Sequence, residues 1–135
     1  NDRTKDFAEE VNKLTGKRGA DVIFDPVGGN VYDRSTKCIA FEGRIVVVGF
    51  TSGRIPQAAA NHVLVKNYSV VGLHWGLYRA RGPELIPPAA AALSDLYQAG
   101  KIKPFISVCM PLAEAPAALA SVAGGKSTGK VILTT

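Results

Sequence analysis

Three short turns hold the residues best suited to chemistry: Asp25-Pro26-Val27-Gly28-Gly29, Gly49-Phe50-Thr51-Ser52-Gly53 and Leu73-His74-Trp75-Gly76. Each follows an apolar run of strand character. Glycine lets a ligand come close to the backbone, so that N–H and C=O groups bond it directly. In an open parallel sheet, ligands bind in the crevice beyond the carboxyl ends of the strands, where these turns would lie. Such a crevice suits a nucleotide. No G-x-G-x-x-G phosphate loop precedes the pattern, and the chain opens directly on a helix. It therefore reads as the second half of a nucleotide-binding sheet, without the first.

Several side chains near these turns admit two roles. His74 could act as a general acid, since imidazole titrates near neutrality, or be a strand-end side chain that packs or faces solvent. Asp25 could be a base, although an Asp before Pro is more often a turn former. Phe50 and Trp75 could stack on an aromatic acceptor or fill core. Lys126 and Lys130 could reach a phosphate or remain solvated charges. Asp33 and Glu42 have no partner carboxylate at a telling spacing. Cys38 and Cys109 lack a C-x-x-C and a nearby His, which argues against a zinc site or disulfide framework. They are expected to be buried or half-buried free thiols in a reducing compartment.

The elements that must position these turns alternate in type. A first helix, Thr4 to Leu14, carries Phe7, Val11 and Leu14 on one stripe, with Thr4 as N-cap and Gly16 as stop. Ala20 to Asp25 predicts a strand buried on both faces, then Val31 to Ala40 a helix and Gly43 to Gly49 a strand. A helix over about 59–66 and a strand from Tyr68 to Trp75 follow. The segment 82–100 predicts a longer helix, its start delayed to about Ile86 by Pro87 and Pro88. A strand (Phe105 to Met110), an Ala-rich helix (about Leu112 to Ala123) and a last strand (Lys130 to Thr134) complete the pattern. Strands alternating with helices predict an α/β fold with a largely parallel sheet.

Composition narrows the classes. A hydrophobic share of 47% against 20% charged residues supports a packed globular fold. The net charge of +5 comes from dispersed basic residues, without a dense run or interleaved aromatics. That pattern argues against a nucleic-acid partner and is compatible with attracting phosphate-bearing small molecules. No signal peptide is visible, and no apolar run reaches the ~20 residues of a membrane span. The expected location is cytoplasmic. Starting at Asn1 rather than Met, the sequence is expected to be an internal piece of a longer one.

Longer stretches resemble a known family. Gly19-Ala20-Asp21-Val22-Ile23-Phe24-Asp25-Pro26-Val27-Gly28-Gly29, Gly43-Arg44-Ile45-Val46-Val47-Val48-Gly49-Phe50 and Gly129-Lys130-Val131-Ile132-Leu133 are similar to the quinone oxidoreductase branch of the medium-chain dehydrogenase/reductase superfamily. So are Leu64-Val65-Lys66-Asn67-Tyr68-Ser69-Val70-Val71-Gly72 and Gly100-Lys101-Ile102-Lys103-Pro104. The resemblance implies the second half of a Rossmann-like doubly wound parallel sheet (1–100) and a C-terminal segment returning to a GroES-like catalytic domain (101–135). It implies a zinc-independent enzyme that uses NADP(H) to pass hydride to a quinone or enone acceptor. It places Gly49, Phe50, Leu73, His74 and Trp75 beside the nicotinamide, with Val27 and Gly28 lining the same crevice. No side chain is thereby made catalytic, because cofactor and geometry do the work. A homodimer through strand 68–75 is also implied. Two rivals are a non-catalytic dimerisation or scaffold fragment of the same fold, and an enoyl reductase module.

Overall fold

The computed structural model describes residues 5–125 and 127–135. Its chain divides into two compact units, residues 1–82 and 83–135.

The first unit contains α1 (Phe7–Leu14), β1 (Ala20–Asp25), α2 (Gly29–Cys38), β2 (Ile39–Val47), α3 (Ala60–Lys66), β3 (Ser69–Gly72) and α4 (Tyr78–Arg81). The strands form a parallel sheet in the order β1-β2-β3. Helical crossovers between neighbouring parallel strands are what the alternating sequence pattern demands. One face of the sheet is covered: Ile45, with no exposed surface, packs with Tyr32, Ile39 and Tyr68, and Ile23, Val47 and Val63 close around them. The β1 expectation of burial on both faces fails. Val22 is 58% and Phe24 65% exposed, because no element of this unit covers them. Phe24 is in register with Val46, and Val46 with Val71, so an apolar row crosses the open face.

Sequence and structure part at several boundaries. The first helix begins at Phe7, capped by Asp6, whose Oδ1 accepts from the Ala8 N–H at 2.8 Å. Thr4, the expected cap, lies outside the described residues. Arg34 pairs with Asp6 at 3.1 Å and stacks over the Phe7 ring, tying α1 to α2. The guanidinium holds the Asp6 carboxyl below its ordinary range. The second helix runs over Gly29–Cys38, not 31–40. Ile39 is already extended and pairs with Ala20, as β-branched and aromatic residues favour. A register shift then falls between Ala20 and Val22, and Glu42 takes a φ of 57°. β3 ends at Gly72 rather than Trp75, because its partner β2 ends at Val47. Leu73 N–H still reaches Val47 O at 2.9 Å, and the chain then enters a 3-10 turn, Trp75–Leu77.

The second unit holds a 3-10 turn (Pro83–Leu85), α5 (Ile86–Gln98), β4 (Ile106–Pro111), α6 (Ala115–Ala123) and β5 (Lys130–Thr134). β4 and β5 pair in parallel, with α6 between them in sequence and packed against both. The delayed start of the long helix holds, with prolines in its first turn. Cys38 is buried as expected, but Cys109 is exposed on β4, whose residues stay open apart from half-buried Met110.

Candidate functional site at the strand ends

All three strands of the first unit finish level. Asp25 is in register with Val47, and Val47 with Gly72. The three glycine-bearing turns therefore emerge side by side at one end of the sheet. This is where parallel strands direct their carboxyl ends, and where an open α/β sheet binds ligands.

Asp25 organises the first turn. Only 1% exposed, it accepts at Oδ1 from the N–H of Val27 (2.9 Å) and of Gly28 (2.8 Å). This is an Asx turn, so the turn-forming role is the one the structure supports. Gly28 then takes φ 67°, a conformation costly for any residue with a Cβ. A Cβ there would also lie 2.8 Å from Phe50 Cδ1. One at Gly49 would lie 3.2 Å from Pro26 O. The close approach these glycines permit is between two turns of the chain itself.

The second turn is sewn onto the first. Val48 N–H bonds Asp25 O (3.0 Å), Thr51 N–H bonds Pro26 O (3.1 Å), and Ser52 N–H bonds Val27 O (3.0 Å). Gly29 N–H returns to Arg54 O at 3.0 Å, and the Arg54 guanidinium reaches Asn30 and Asp33 on α2. The Ser52 and Arg54 latch escaped the sequence reading. Asp33 and Arg54 are far apart in sequence, and only the fold of the loop makes them neighbours.

These bonds sort the candidate residues by what each can still offer a ligand. Val27 and Gly28 have spent their N–H groups on Asp25, and Leu73 on Val47. Gly49, Phe50, His74 and Trp75 have N–H groups with no partner among the described residues. Phe50 is 41% and Trp75 53% exposed, and the Trp75 ring leans on Tyr78 with centroids 5.3 Å apart. The structure thus brings Gly28 and Phe50 together, and gives Trp75 a surface aromatic partner rather than core. His74 is exposed.

Among the described residues, no three His, Cys, Asp or Glu side chains gather as a metal site. A hollow of about 360 Å³, lined by Glu42, Val63, Leu64, Asn67, Tyr68 and Ser69, lies at the amino end of β3, away from the turns. Under the sheet's covered face, burial pushes the Tyr32 hydroxyl up to about 12 and raises Tyr68 and the Cys38 thiol.

The model of the zinc-binding dehydrogenase family matches residues 1–133. The chain belongs to that family. It is 41% identical over 132 residues to the quinone oxidoreductase-like protein 2 homolog of Nematostella vectensis, covering 97% of this chain and 36% of that protein. A mycobacterial protein solved in complex with NADPH matches 96% of this chain and 40% of its own, at 26% identity and TM-score 0.80. The CurK enoyl reductase matches 96% of this chain and 38% of its own, at 27% identity and TM-score 0.74. The quinone oxidoreductase resemblance and the Rossmann-type α/β class both hold, and the chain spans well under half of each of these proteins. The family's description speaks of zinc, but the described residues of this chain form no site for it.

Proposed function

We propose that the chain is part of an NADP(H)-dependent oxidoreductase that passes hydride to a quinone or enone acceptor. The observation that carries this reading is the level ending of three parallel strands beneath turns that keep four backbone N–H groups unpaired. The relative named for quinone oxidoreduction and the NADPH-bound neighbour support the choice of reaction and cofactor.

In this reading the nicotinamide supplies the hydride, and the chain's part is to hold and orient it. Free N–H groups at Phe50, His74 and Trp75 suit a carboxamide oxygen, which only accepts. Val27 and Gly28 contribute shape rather than hydrogen bonds. Hydride transfer needs donor and acceptor carbons aligned at close range, so a rigid, latched turn serves it directly. Residues 1–100 would belong to the nucleotide-binding domain and 101–135 to the segment returning to a catalytic domain. β3, at the edge of its sheet, would pair with a second copy through residues 68–75. The enoyl reductase neighbour supports a second reading with the same cofactor and an α,β-unsaturated thioester as acceptor.

The test is amide NMR of this chain with NADPH added to millimolar concentration. Perturbations confined to residues 27–28, 49–50 and 73–75 are expected. Saturable shifts elsewhere, with these turns silent, would overturn the assignment.

A further inference from the structure

The third turn runs straight into a short helical stretch that leaves its aromatic and cationic side chains open. The 3-10 turn Trp75–Leu77 passes into α4 (Tyr78–Arg81) without a break. Leu77 N–H bonds His74 O and Gly82 N–H bonds Tyr78 O, both at 3.0 Å, and Leu77 and Tyr78 keep helical dihedrals. Residues three and four apart on such a stretch are neighbours. Trp75 therefore lies beside Tyr78 and Arg79, and Tyr78 beside Arg81. The Trp75 ring is tilted 35° to the Tyr78 ring, and about half of Trp75 stays exposed.

Arg79 and Arg81 are exposed as well. Among the described residues, neither guanidinium has an ion-pair partner, a hydrogen-bond partner or an aromatic ring beneath it. Arg54 and Lys66, by contrast, are occupied: Arg54 by Asn30 and Asp33, Lys66 by Thr36 O at 2.8 Å. From Gly43 to Pro83 the sequence holds no acidic residue that could neutralise the pair. Two uncommitted guanidinia thus flank an open indole, within a turn or two of the unpaired N–H groups of His74 and Trp75.

We infer that the acceptor taken at this site carries a carboxylate in the plane of its conjugated system: the flat unsaturated part stacks on Trp75, and Arg79 and Arg81 hold the carboxylate. This names the acceptor class of the oxidoreductase reading and rests on it. A guanidinium presents its donors as a planar fork that matches the two oxygens of a carboxylate. A conjugated carboxylate is itself flat, so one molecule meets the indole face and the fork together. A phosphate is tetrahedral, and most of its oxygens stand out of that plane. A neutral quinone would fill the platform and leave both cations to solvent.

The test uses the chain as it stands, because Trp75 is its only tryptophan and gives one indole N–H signal in nitrogen-15 spectra. Cinnamate and its neutral isostere cinnamamide are titrated in turn, without NADPH. Cinnamate is expected to move the Trp75 signal saturably, with half-saturation about fivefold lower than for cinnamamide at low salt. The preference is expected to shrink as salt is added. In the Arg79→Gln/Arg81→Gln variant the two ligands are expected to bind alike; both side chains are exposed and unpaired, so the fold does not depend on them. An equal response of the unaltered chain to both ligands, or none, overturns the inference. So does a preference that survives in the variant, or an equal shift with inorganic phosphate, which would make the pair a general anion site. Turns silent toward NADPH would remove the oxidoreductase reading, whereas a lost carboxylate preference with responsive turns would remove the acceptor class alone.

Discussion

Asp25 ends a strand and builds the following turn with the same carboxylate, and Gly28 is the residue that makes the turn possible. Its φ of 67° and the Phe50 ring 2.8 Å from a would-be Cβ act together. Gly28→Ala should therefore cost about 1–3 kcal/mol, read as a lower urea midpoint; an unchanged midpoint would show that the loop relaxes freely. Tyr32 gives a pH-dependent signature. Its hydroxyl titrates at about 12 in the folded chain against 10.0 ordinarily, so between those values the folded state keeps a proton that the unfolded state loses. Stability from this group is full below about pH 10 and declines as pH rises toward 12. Tyr68 shifts in the same direction. Denaturation midpoints of the Tyr32→Phe variant should fall less steeply over that range. The Asx turn was legible in Asp25-Pro26-Val27-Gly28, because it is local. The Tyr32 environment was not, because Asp25 and Tyr68 reach it from different elements.

At the scale of elements, β2 carries the first unit. Ile45, wholly buried, lies in its centre, flanked in register by Ile23 and Val70. Ile45→Ala should cost about 2–5 kcal/mol and Ile45→Val about 0.5–1.5 kcal/mol. Phe24→Ala, at a position 65% exposed, should change stability by no more than about 0.5 kcal/mol in this chain. Equilibrium denaturation of the three variants checks the contrast; comparable losses at Phe24 and Ile45 would mean that the open face is covered in solution. The continuous apolar run of β1 suggested burial on both faces, yet the sequence holds no sign of which face a neighbour covers. The strand β2 began earlier than its glycine suggested, since Ile39 pairs with Ala20 before the kink at Glu42. Pairing across strands outweighs the local helical pattern there.

For the whole molecule, the chain supplies three turns and no glycine-rich phosphate loop. Half-saturation by NADPH, followed by nicotinamide fluorescence, should therefore lie near the millimolar range, about −4 kcal/mol of binding. Micromolar affinity would show that the loop is dispensable. The exposed edge of β3, with Val70 and Val71 partly open, should support a homodimer in sedimentation equilibrium. A folded monomer at micromolar concentration would remove that interface from the proposal.

By itself the sequence determined the α/β class, the strand β1, the last strand Lys130–Thr134 and the positions of the three turns. These follow from hydrophobic periodicity and from Gly and Pro, which act over a few residues. Only the tertiary structure decided that the strands end level, that the second turn is bonded to the first, and that four of the candidate positions keep a free N–H while three do not. Those outcomes depend on register and on long-range hydrogen bonds. A linear pattern carries neither, because both are set by which chain segments become neighbours.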